Sequence, residues 1–295
     1  MQLSSDPRTR AMFASFFVNL SLVFVKLITG ILSGSVGLVA DAFHSLSDFM
    51  SDVLVIFGIR QGRKPPDAGH PIGHGKIEYV LSLLLGVGIL FIAYQLISNA
   101  LPTFGQPPSA PHAAAILVIA VVLTAKFVLS RYLLKKSVEL DSQVLKASGQ
   151  ESYMEMFGTF AVLIGVALGL IGQRTGMEWL MFADNVAALV IALFIVRVAF
   201  FVIREAVDFV LGKSASQATI EATRRLIQPI EGVEGVDRLT MIDYGHYYQV
   251  MVEIRVDGSL SVREGHAIAH RVRDRLKSEP NLNHVEVHVN PEVKT

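Results

Sequence analysis

The sequence has no cysteine. Disulfides and thiolate metal sites are therefore excluded, and any metal ion would be held by imidazole and oxygen. It also lacks an excess of either charge, with 26 Lys and Arg against 26 Asp and Glu in 295 residues. That balance offers no basic face for a nucleic-acid partner. Charged residues make up only 18% of the chain against 52% hydrophobic ones, and the mean hydropathy is +0.48. This is too apolar for one ordinary soluble domain. No low-complexity tract or short repeat is present.

What is there instead is a series of long hydrophobic runs. Six stretches, about 10–32, 36–60, 77–101, 112–135, 144–172 and 179–203, are each long enough to cross a bilayer. About 20 residues at about 1.5 Å each cover about 30 Å of hydrocarbon. Turn signals separate them: GSVG near 34–37, GRKPPDAGHPIGHGK at 62–76, PTFGQPPSAP at 102–111 and GQRTGME at 172–178. The first run is longer than a signal-peptide core and no small-residue cleavage pattern follows it, so it is expected to stay as a membrane helix. Basic residues favour one side. Arg8 and Arg10 precede the first run, and Arg60, Arg63, Lys64 and Lys76 flank the second loop. Arg131, Lys135 and Lys136 close the fourth run, and Arg204 and Lys213 follow the sixth, whereas the opposite loops carry little beyond Arg174. Six crossings with this bias put both termini in the cytoplasm.

Composition changes after residue 212. SQATIEATRRLIQPI and SVREGHAIAHRVRDRLKS read as amphipathic helices, the second opened by a capping box of Ser261 and Glu264. RLTMIDYG, YYQVMVEIRVD and HVEVHVN alternate as strands. The order αββαβ predicts a small α+β domain with its helices on one face of a sheet. The expected division is a transmembrane domain over 1–212 and a second domain over 213–295.

Ionisable residues inside hydrocarbon-length helices are costly and point to function. In the second run Asp41, His44, Asp48 and Asp52 follow spacings of three, four and four, so they share a helix face. In the fifth run Glu151 and Glu155 lie one turn apart. His44, Asp48, Glu151 and Glu155 form two such pairs, the pattern of four ligands to one metal ion. The competing readings are a polar helix end or hydrogen-bonded network in the second run, and in the fifth a helix start whose dipole favours carboxylates. One imidazole with three carboxylates suits Mn²⁺, Fe²⁺, Co²⁺ or Zn²⁺. In the second loop Asp67, His70 and His74 fall at i, i+3 and i+7, and could hold a divalent ion or be ordinary surface residues. Asp237, Glu253, His266 and His288, with His246, His270 and His284, are spread over the C-terminal elements. Asn19, Lys26 and Asp184 are further polar residues in the spans, read as structural or gating groups.

SGSVGLVADAFHSLSD, HPIGHGKIE and the C-terminal SLSVREGHAIAHRV and VEVHVNP resemble the cation diffusion facilitators over about residues 10–291. The resemblance implies a six-helix divalent-metal/proton antiporter with a cytoplasmic ferredoxin-like domain, acting as a homodimer. His44 and Asp48 take the family's two ligand positions on the second helix. Asp67, His70 and His74 match an auxiliary loop site of some members. Where the family usually reads His or Asp, three residues, then Asp, this chain has Glu151 and Glu155. Asp237 and Glu253 stand where zinc-rich members have histidines, and Asn290 where they have an aspartate, while His266 and His288 remain.

The expectation is therefore a secondary active transporter in the lipid of the cell (inner) membrane. It would export Zn²⁺, Fe²⁺, Mn²⁺ or Co²⁺ against protons, with no cofactor beyond the metal itself and no nucleic-acid partner. Metal and protons compete because ligands must be deprotonated, and His44 is the expected proton carrier. Asp41, Asn19 and Asp184 would support the site. Two other classes compete with this one: a metal sensor without transport, and an intramembrane metal-dependent hydrolase, for which the chain offers no HExxH.

Overall fold

The computed structural model describes residues 7–105, 110–140 and 142–292; the side chain of Asp52 lies outside that set. The chain divides into two compact units, Met1–Val53 with Leu85–Phe201, and Leu54–Leu84 with Val202–Thr295. Helices come first: α1 (Pro7–Ser33), α2 (Val36–Gly62), α3 (Ile77–Ala100), α4 (Ala114–Glu139), α5 (Gln143–Thr175), the one-turn α6 (Glu178–Met181) and α7 (Ala183–Val210). A short 3-10 turn, Leu101–Gly105, follows α3.

Among the described residues, Arg10–Ser33, Ile77–Phe104, Ala114–Glu139, Gln143–Thr175 and Glu178–Val210 are long and apolar enough to cross a membrane. That is five segments where the sequence predicts six. α2 matches the 27 residues of α1, and the side chains of residues 52, 55, 56 and 59 within it lie outside the described set. The predicted last break also shifts. α5 runs through Gly172 to Thr175, and Gly176, at φ 74°, ends it by donating its N–H to the Gly172 carbonyl. The chain returns closely against Gly172: a Cβ there would lie 2.8 Å from the Met177 carbonyl and from Leu180.

The helical unit is apolar on its outside. Phe17, Phe24, Leu32, Phe91, Phe157, Trp179, Leu193 and Phe201 are exposed, while Lys26, Asp41, Lys126 and Asp184 are buried. In water this arrangement would be unstable, whereas in hydrocarbon it satisfies both solvents. The core is built of small and branched side chains, among them Leu38, Ala40, Ile89, Ala93, Ile119, Val162, Val166, Ala188, Ile191 and Ile195. Small residues let transmembrane helices approach closely. Asp184 joins the start of α7 to the start of α2, accepting from the Ser35 hydroxyl at 2.7 Å and the Gly37 N–H at 3.2 Å.

The C-terminal part contains α8 (Gln217–Ile227), β1 (Gly235–Asp243), β2 (Tyr248–Asp257), α9 (Val262–Lys277) and β3 (Leu282–Glu292), the predicted αββαβ order. The sheet order is β1-β2-β3, with β1 and β2 antiparallel and β2 and β3 parallel. Val250, Val252, Ile254 and Val256 alternate toward the core, as a half-buried strand requires. They are joined there by Ile220 and Ile227 of α8 and by Ile268, Val272 and Leu276 of α9. The capping box at α9 is formed: the Ser261 hydroxyl accepts from the Glu264 N–H at 3.4 Å, and the Glu264 carboxylate accepts from the Ser261 N–H at 2.8 Å.

Candidate metal centre

Within the helical unit, α1, α2, α4 and α5 direct polar side chains into one buried seam. Lys26 of α1 is fully buried and saturated. Its ammonium lies 2.8 Å from Asp41 Oδ2 and donates to Ser45 Oγ and Thr159 Oγ1, each at 3.0 Å. Thr159 in turn donates to Asp41 Oδ2 at 2.8 Å. An ammonium has three hydrogens, and here each has an acceptor. A Cβ at Gly158 of α5 would lie 3.7 Å from Asp41 Oδ1, an ordinary contact.

One turn along, His44 Nδ1 and Asp48 Oδ2 stand 3.8 Å apart, each side chain about a quarter exposed. They are neighbours but too distant for a hydrogen bond. Glu155 of α5 is paired with Lys126 of α4, which also donates to Asn19 Oδ1 of α1 at 2.9 Å. Asp48 and Glu151 both lie within electrostatic range of Lys126. Glu151 is exposed. Glu155 is thus held by Lys126, Asp48 and Glu151 lie near the same lysine, and His44 neighbours Asp48, but no three of these four bring their ligand atoms within 4.8 Å of one another. Lys126 and Thr159 are the residues sequence reasoning missed. Lys126 is detectable as a lone cation in the apolar run VVLTAKFVLS; Thr159 carries no comparable signal.

In the second unit the loop between α2 and α3 folds around Asp67. Asp67 Oδ1 accepts from the His70 N–H at 2.7 Å and the Gly69 N–H at 2.9 Å, a side-chain-closed turn. The His70 N–H foremost, with that of Gly69, holds the Asp67 carboxyl below its ordinary range. His70 Nδ1 and His74 Nε2 each stand 3.3 Å from an Asp67 oxygen. Ligand atoms of Asp67, His70 and His74 all lie within 4.8 Å of one another, the one cluster of this kind among the described residues. Two imidazoles and a carboxylate are a competent donor set for a divalent ion. The same loop is fastened to the β1–β2 hairpin: the Tyr247 hydroxyl donates to the Ile72 carbonyl at 2.8 Å, and Lys76 lies over the Tyr244 ring.

The four C-terminal candidates do not converge. Asp237 sits at an irregularity between Val236 and Arg238, where its carboxylate takes Arg255 at 2.6 Å and Asn290 at 3.2 Å. Glu253 and His288 face each other across β2 and β3, and Glu253 also neighbours Arg238 at 3.8 Å. His266 lies on α9 against His270, Nε2 to Nε2 at 2.9 Å, and Arg273 reaches His270 Nδ1 at 2.7 Å.

Long apolar helices with an outward apolar face and a charged interior define an integral, multi-pass membrane protein. Residues 12–210 match the cation efflux transmembrane domain, and residues 215–292 match the cation efflux protein cytoplasmic domain. The chain belongs to the cation efflux family, the cation diffusion facilitators. It is similar to the manganese efflux system protein MneP of Bacillus subtilis (strain 168), 30% identical over 278 residues covering 94% of each chain. It is also similar to MneS of the same organism, another manganese efflux system protein, 28% identical over 92% of this chain and 91% of that one. The magnetosome protein MamB of Magnetospira sp. (strain QH-2) is 24% identical over 96% of this chain and 94% of its own.

Proposed function

We propose that this protein exports a divalent transition-metal ion from the cytoplasm in exchange for protons, with Mn²⁺ the first candidate. The observation that carries this reading is the charge balance of the seam. Asp41, Asp48, Glu151 and Glu155 face Lys26 and Lys126. Among the described residues carboxylates outnumber lysines along this seam, an excess of negative charge suited to a divalent cation. His44 adds a nitrogen donor beside Asp48. A set rich in carboxylate oxygen suits a hard ion such as Mn²⁺, and two relatives bear the name of manganese efflux system proteins.

In this reading His44, Asp48, Glu151 and Glu155 bind the ion, and α2 serves as the sixth crossing. The protein sits in the cell membrane with both termini in the cytoplasm, and the helices rearrange about the site to open it to either side. Protons compete for the same ligands, with His44 as carrier. Asp67, His70 and His74 form an auxiliary metal site. The C-terminal domain, read as ferredoxin-like, senses metal and dimerises.

The test is flux in proteoliposomes across an imposed pH gradient, with Mn²⁺, Zn²⁺, Fe²⁺ and Co²⁺ side by side. Mn²⁺ movement that follows the gradient is expected. Metal binding without flux would replace this reading with that of a sensor.

A further inference from the structure

We infer that Lys126 is a tethered counter-ion that occupies Glu155 while the site is empty and gives it up to the transported metal. The inference rests on the reading of Glu155 as a ligand. Lys126 is 1% exposed and comes from α4, a helix that supplies none of the four proposed ligands. Its ammonium touches both Glu155 and Asn19.

The contrast with Lys26 carries the argument. Lys26 is locked by Asp41, Ser45 and Thr159, none of which is a proposed ligand. Lys126 bonds directly to one proposed ligand and one neutral amide, with Asp48 and Glu151 within its electrostatic range. A metal ion on Glu155 and an ammonium a few ångströms away repel each other strongly in a poorly screened interior. Asn19 Oδ1 gives the displaced ammonium an acceptor, so that leaving the carboxylate does not strand it. No change in the charge of Lys126 is needed. The empty site keeps a compensating positive charge, which lowers the cost of rearranging the helices without cargo.

Mn²⁺ binding to the purified, chelator-stripped full chain at one fixed pH tests this. Lys126→Gln is expected to tighten binding by about tenfold, because the competitor is gone. Lys126→Arg, which keeps the charge, is expected not to tighten it. Asn19→Ala, which removes the alternative acceptor, is expected to weaken binding several-fold. A folded Lys126→Gln protein that binds no more tightly than the parent would overturn the inference. Should that variant not fold, Asn19→Ala decides: unchanged or tighter binding overturns it. Glu155→Ala separates the two layers, since parent-like binding there would remove the ligand reading itself.

Discussion

The Tyr247 hydroxyl lies 2.8 Å from the Ile72 carbonyl and donates to it. One hydrogen bond thereby ties the tip of the β1–β2 hairpin to the loop that carries Asp67, His70 and His74. Tyr247 is 8% exposed, and the bond itself is partly buried. Tyr247→Phe is expected to cost about 1–2 kcal/mol and to speed amide exchange over residues 66–76 of the loop. Unchanged exchange there would show that the loop is held by other contacts.

Lys26 and Asp41 form a buried pair 2.8 Å apart. Lys26→Met leaves Asp41 as an uncompensated buried anion and is expected to cost about 3–5 kcal/mol. Adding Asp41→Asn should recover much of the loss. Thermal unfolding of both variants in detergent checks this, and additive losses would deny the coupling.

The Asn290 amide first, and then the Arg255 guanidinium, hold the Asp237 carboxyl below its ordinary value of 3.8. The sign follows from linkage: the contribution is fully present above the unfolded value and is lost as pH falls through the lower folded one. Pepsin cleavage within the C-terminal domain of the full chain, followed between about pH 5 and about pH 2, reads this limb. Asp237→Asn is expected to flatten it, and an identical acid limb would contradict the assignment.

Glu151 and Glu155 depart from the His or Asp and Asp that the family usually carries there. Changing them to His and Asp is expected to shift flux selectivity from Mn²⁺ toward Zn²⁺. Unchanged selectivity would show that it is set elsewhere.

Much of this arrangement is legible in the sequence because it depends on local pattern. Hydrophobic run length marks the helices, i,i+4 spacing places His44 with Asp48 and Glu151 with Glu155, and Ser261 with Glu264 announces a capping box. What is not legible depends on distant pairing. Lys126 meets Glu155 across 29 positions and Lys26 meets Thr159 across 133, separations that no periodicity encodes. Asp237 meets Arg255 beside a register irregularity in β1, a pairing that spacing alone does not show.

The central claim is that the seam beside α2 carries the metal. The most direct measurement is Mn²⁺ uptake into proteoliposomes across a pH gradient, comparing the parent with Asp48→Ala at matched protein content. The expected result is robust uptake by the parent and uptake at the level of protein-free vesicles for Asp48→Ala. Equal uptake by the two would contradict the account.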